Sequence, residues 1–114
     1  MNAMIDHIRE PLQHFIDICE CYKDDQFDVL EFQHAIKYSY LPPETSKELS
    51  IIQHNAHEDI EDIIYGSVGM DEKYREERRK LAIPLADKLI TATIAEIERL
   101  ENYTPYATPA QQAV

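Results

Sequence analysis

The chain has 114 residues, 44% of them hydrophobic, with two glycines and a formal net charge of −11. That length supports one domain with a real core and leaves no room for two, while the apolar content argues against a disordered polymer. The acidity excludes direct binding to nucleic acid or to an anionic membrane, whose phosphates need a positive surface, and no apolar run approaches the roughly 18 residues of a membrane span.

The opening MNAMIDHIRE lacks the cationic start and apolar stretch of a signal peptide, so a cytoplasmic location is expected. Residues 2–9 suit a short helical turn, and Pro11 suits the first position of a helix that reaches about Tyr22. Its apolar stripe is Leu12, Phe15, Ile16 and Cys19, extended backwards by Ile5 and Ile8. Cys19 and Cys21 point about 200° apart on a helix, so they cannot pair with each other and are read as two reduced thiols. In the connector Lys23-Asp24-Asp25-Gln26, Asp25 is placed to cap a second helix, with Asp28 in its first turn. That helix runs from Phe27 to about Tyr40, with Val29, Phe32, Ile36 and Tyr40 towards the core and Phe27, Glu31, His34 and Tyr38 away from it.

Leu41-Pro42-Pro43 breaks the chain, because a proline pair cannot continue a helix. Thr45 or Ser46 then caps a third helix ending near Tyr65-Gly66. Leu49, Ile52, Ala56, Ile60, Ile63 and Ile64 share one of its faces, while Glu58, Glu61 and Asp62, with His54 and Tyr65, share the opposite one. After a loop over residues 67–70, Asp71 and Glu72 open a fourth helix, which Pro84 is expected to kink or split into 71–82 and 84–101. This helix is apolar on two sides, with Leu81, Leu85 and Leu89 on one and Ile83, Ile90, Ile94 and Ile97 on another. Residues 103–114 lack periodicity and read as a flexible tail. The expected fold is therefore all-α, an antiparallel four-helix bundle with a Pro-kinked last helix, forming one domain over residues 1–102.

The charge is unevenly placed. Residues 1–72 carry 16 acidic and 4 basic side chains, a net of −12; residues 73–114 carry 6 and 7, a net of +1. From His57 to Glu72 there are six carboxylates (Glu58, Asp59, Glu61, Asp62, Asp71 and Glu72) and neither Lys nor Arg. Such a field, with Tyr65, Tyr38 and Phe27 near it, is suited to steer and hold a basic protein partner.

Other chemistries fit less well. Glu31 and His34 have the Glu-x-x-His spacing of di-iron bundles, and His54, His57, Glu58 and Glu61 add i, i+3 and i, i+4 ligand spacings. A di-metal carboxylate site needs two such motifs and two further glutamates, and these residues face away from the apolar stripes. They are read as solvated polar faces, and no metal or cofactor is expected. His57 lies among carboxylates that would repel a phosphoryl donor, and nothing suggests a shaped catalytic pocket, so the chain is not read as an enzyme.

The helix LSIIQHNAHEDIEDIIYG, a short loop and then MDEKYREERRKLAIPLADKLI resemble, over roughly residues 49–90, the small acidic immunity proteins of bacterial toxin systems. The resemblance is to the colicin D immunity type and its relatives in contact-dependent inhibition systems, where an acidic pair, an Arg and a Leu-spaced stripe open the last helix. Here these are Asp71-Glu72, Arg75 and Leu81-Leu85-Leu89. The resemblance implies a helical bundle that covers the basic active-site cleft of a nuclease toxin, typically one that cuts tRNA. Glu58, Asp59, Glu61, Asp62, Asp71 and Glu72 would then be the contacts and Tyr65 an anchor, with Asp24, Asp25 and Asp28 extending the patch. The chain would act as a monomer or weak homodimer. The alternatives are a small acidic adaptor that dimerises through Ile83, Ile90, Ile94 and Ile97, and a metal-binding bundle.

Overall fold

The computed structural model describes residues 3–67 and 71–102; residues 1–2, residues 68–70 of the expected loop and the expected 103–114 tail lie outside the described residues. The described residues are helical, with no strand among them: α1 (Ala3–Lys23), α2 (Val29–Tyr38), α3 (Lys47–Asp62), a π-helical turn (Ile63–Ser67), a 3-10 turn (Glu72–Tyr74) and α4 (Arg75–Asn102). α4 packs most extensively on α1 and also on α3, and α2 closes against α1 and α3.

The apolar periodicity explains this packing. Ile8, Leu12, Phe15, Ile16, Cys19 and Tyr22 line one side of α1 and are all buried. The side chain of Ile5 lies outside the described ones. On α3 the expected face holds: Leu49, Ala56, Ile60, Ile63 and Ile64 are buried, and Ile52 packs against their edge. α4 buries Ala82, Ala86, Leu89, Ile90, Ile97 and Leu100, and the two alanines leave room for neighbouring helices to approach closely. Tyr22 stacks on Phe32 at 4.2 Å and 4°, joining α1 to α2, and Phe27 completes the cluster at 6.1–6.3 Å. Phe27 is thus part of the core edge and not an aromatic on the acidic face.

Neither proline ends a helix. α1 begins eight residues before Pro11 and runs through it, and α4 is continuous across Pro84. Each proline removes one backbone hydrogen bond, to the carbonyl four residues earlier. Those residues, His7 and Lys80, are exposed, so water can take the freed carbonyls. Burial of Ile8 against Ile97 and Leu100, and the Arg9–Glu101 ion pair, hold the first turns of α1 in place.

The helix ends correct the capping assignments. Gln26 N–H donates to the Cys21 carbonyl and Asp25 N–H to that of Tyr22, both at 3.0 Å, which is the Schellman pattern. Asp25 occupies the left-handed position of that motif, with φ of 60°, a conformation that Asp tolerates better than most residues. It therefore closes α1. Asp28 caps α2 instead, with Glu31 returning a bond to the Asp28 N–H in a capping box. α2 is consequently shorter than expected, and Tyr40, assigned to its core face, lies beyond its end and is exposed.

Two charged groups are buried on α4. Glu96 accepts hydrogen bonds from the Ser46 N–H (2.6 Å), the Ser46 hydroxyl (3.1 Å) and Arg99 Nη2 (2.7 Å), so it ties α4 to the N-terminus of α3. Arg78 donates through Nη1 to the Asp71 carbonyl at 2.7 Å, holding the approach to α4.

Candidate functional site

The C-terminal half of α3 carries the acidic surface. Glu58, Asp59 and Asp62 are exposed there, Glu61 is half-buried, and Tyr65 stands out at 68% exposure. The π-helical turn matters for Tyr65. It follows Asp62 directly, keeps Ile63 and Ile64 in the core and leaves Tyr65 outside. His54 and Glu58, four residues apart on one face, approach to 3.5 Å. No Lys or Arg lies on α3 after Lys47.

The second acidic region is arranged differently from expectation. Asp25 accepts from Arg75 at 2.9 Å and approaches Arg79 at 3.4 Å, so its charge is neutralised within the chain. The Arg75 guanidinium is held above its ordinary pKa, first by the hydrogen bond to Asp25 and then by the charges of Asp25, Asp28 and Glu72. Arg75 therefore gathers the connector and the start of α4 into one mixed-charge patch. The Asp28 carboxylate accepts from the Val29 N–H at 2.7 Å, and Asp71 caps the 3-10 turn through the Lys73 N–H. Asp24, Asp71 and Glu72 are exposed. Of the proposed contacts, then, Asp25, Asp28 and Asp71 are engaged in shaping the fold, and Glu58, Asp59 and Asp62 of α3 are exposed.

A cleft lies between α2 and α3 beside this surface. Gln33, His34, Lys37 and Tyr38 of α2 face His57 and Glu61 of α3 and the following Tyr65. Gln53 fastens its upper end, donating to the Ile36 carbonyl at 2.7 Å and the Ser39 carbonyl at 3.1 Å, so α3 caps the C-terminus of α2. The Glu31–His34 pair does not assemble as a metal motif, since Glu31 serves the capping box. His57, Glu58 and Glu61 do come together, with one ligand atom from each within 4.8 Å of the others. Cys19 is buried, and burial, with the nearby Glu20 charge, pushes its thiol up to about 12; Cys21 is also a free thiol.

The apolar stripe considered for dimerisation does not form a surface. Ile90 and Ile97 are in the core, Ile83 packs against it, and Ile94 is exposed. Sequence reasoning passed over Gln33, Gln53, Arg78 and Glu96, whose positions depend on which polar groups neighbouring helices bring to them. No described helix is long and apolar enough to cross a membrane. No family model, curated protein or solved structure matches the chain.

Proposed function

We propose that this protein is an immunity-type inhibitor, which binds a basic nuclease toxin and covers its active-site cleft with the acidic surface of α3. The observation that carries this reading is the outward-facing set Glu58, Asp59 and Asp62 beside exposed Tyr65, on a helix with no basic side chain after Lys47. A nuclease cleft is positive because it holds phosphate. Carboxylates fixed on a rigid helix could stand where phosphates lie, and their field would speed encounter. In this reading Asp24, Asp71 and Glu72 widen the electrostatic contact, the helices run antiparallel with a bend at Pro84, and the protein acts in the cytoplasm without catalysing a reaction.

The test has two steps. Tagged protein is used to capture partners from its host at low and high salt, and the recovered partner is then assayed for RNA cleavage. The expected result is a basic nuclease whose capture weakens with salt and whose activity falls on addition of this chain. Glu58→Lys with Asp59→Lys should abolish that inhibition without changing the circular dichroism spectrum. A partner whose cleavage is unaffected, or equal inhibition by the charge-reversed variant, would overturn the assignment.

A further inference from the structure

Three of the five histidines in the chain meet the acidic surface, and they reach it from two helices. On α3, the His54 ring stands 3.5 Å from the Glu58 carboxylate, one turn along. One ring nitrogen of His57 and one oxygen each of Glu58 and Glu61 lie within 4.8 Å of one another. From α2, His34 lines the same cleft as His57 and Glu61, with its ring 5.3 Å from that of Tyr38. A surface that only had to attract a cation would gain nothing from imidazoles placed among its carboxylates.

Histidine is the side chain whose charge ordinarily changes between about pH 5 and 8. Among the described residues that line the cleft with these imidazoles, the charged groups are Lys37 of α2 and Glu58 and Glu61 of α3, while Tyr38 and Tyr65 stay neutral in that range. No charged group of α1 or α4 lines it. With neutral imidazoles, Glu58, Asp59, Glu61 and Asp62 against Lys37 leave a net of −3, and three imidazolium charges bring that net to zero. Protonation also creates opposite charges four residues apart, His54 with Glu58 and His57 with Glu61. Pairs at that spacing attract one another on a helix, so the two carboxylates would be engaged within the chain instead of with a partner.

We infer that His34, His54 and His57 make binding by this surface pH-dependent: a basic partner is held at neutral pH and released as the imidazoles gain protons. The inference rests on the electrostatic surface proposed above and adds to it an off state. Fluorescein-labelled octa-arginine serves as the cationic probe, titrated with the full chain at low salt. The parent should bind it about tenfold more weakly at about pH 5.5 than at about pH 7.5. The triple variant His34→Gln, His54→Gln, His57→Gln should match the parent at the higher pH and keep that affinity at the lower one, with unchanged circular dichroism at both. His7→Gln with His14→Gln, on α1, should respond to pH as the parent does. Nuclear magnetic resonance of the unliganded parent should show the Glu58 and Glu61 carboxyl signals moving in step with the titration of the His54 and His57 rings. If Glu58→Lys with Asp59→Lys binds the probe as tightly as the parent at about pH 7.5, the acidic surface is wrongly assigned and the inference falls with it. If that variant loses binding but the parent and the triple histidine variant respond to pH alike, the surface stands and the inference alone is overturned.

Discussion

Glu96 offers the sharpest test of how the bundle is held. Its side chain is nearly buried and receives the Ser46 N–H, the Ser46 hydroxyl and the Arg99 guanidinium. Glu96→Gln preserves its shape but removes the charge and turns an NH2 group towards groups that are themselves donors. A hydrogen bond to a charged group is worth about 1.5–3 kcal/mol. The Arg99 side chain is 48% exposed and would rehydrate, so the loss falls mainly on Ser46. We expect about 2 kcal/mol for Glu96→Gln and about 3 kcal/mol for Glu96→Ala. With a urea slope of about 2 kcal/mol/M, the midpoint should fall by about 1 M for Glu96→Gln at unchanged slope. Burial raises the Glu96 pKa, but the hydrogen bonds from Arg99 and Ser46 outweigh it, and the carboxyl is held below its ordinary 4.5. Its stabilisation is therefore complete above that ordinary value and is lost as pH falls through the lower folded one. The parent should lose more stability than Glu96→Gln on acidification across this range. A Glu96→Gln variant within about 0.5 kcal/mol of the parent at pH 7 would refute the reasoning, as would acid profiles of parent and variant that run parallel.

Asp25 should separate backbone from side-chain effects: Asp25→Ala, forced to φ of 60°, should be less stable than Asp25→Gly by about 1 kcal/mol, read by thermal melts, and equal stabilities would contradict the Schellman assignment. Pro11→Ala restores an N–H to α1 and should raise stability if that bond forms with the His7 carbonyl; a measured loss would mean that Pro11 makes packing contacts which outweigh it. Phe32→Ala, which removes the ring stacked on Tyr22, should cost about 3–5 kcal/mol in urea denaturation, and a cost under about 1 kcal/mol would mean that the aromatic cluster does not join α1 to α2.

Much of the fold was legible in the residue order alone. The 3.6-residue spacing of Leu12, Phe15, Ile16 and Cys19, and of Leu49, Ala56, Ile60, Ile63 and Ile64, marked the faces that are buried, because burying apolar area is the dominant favourable term and needs only a period to be recognised. The outward direction of Glu58 and Asp62 followed from the same period, whereas Glu61, expected on that face with them, is half-buried in the cleft beside α2. Local signals were weaker guides wherever two helices meet. Pro11 had the signal of a first helical position and Pro84 that of a kink or a split, yet α1 begins eight residues before Pro11 and α4 is continuous across Pro84, with exposed residues four positions before each. Asp25 had the composition of a cap and Phe27 that of a surface aromatic. Arg75 and Arg79, fifty or more residues away, claim the first, and Tyr22 and Phe32 bury the second. The buried charges Arg78 and Glu96, and the joining of Gln33, His34, His57 and Glu61 in one cleft, were decided by tertiary structure alone. A polar side chain's environment depends on which donors and acceptors another helix brings, and no period in the sequence encodes that pairing.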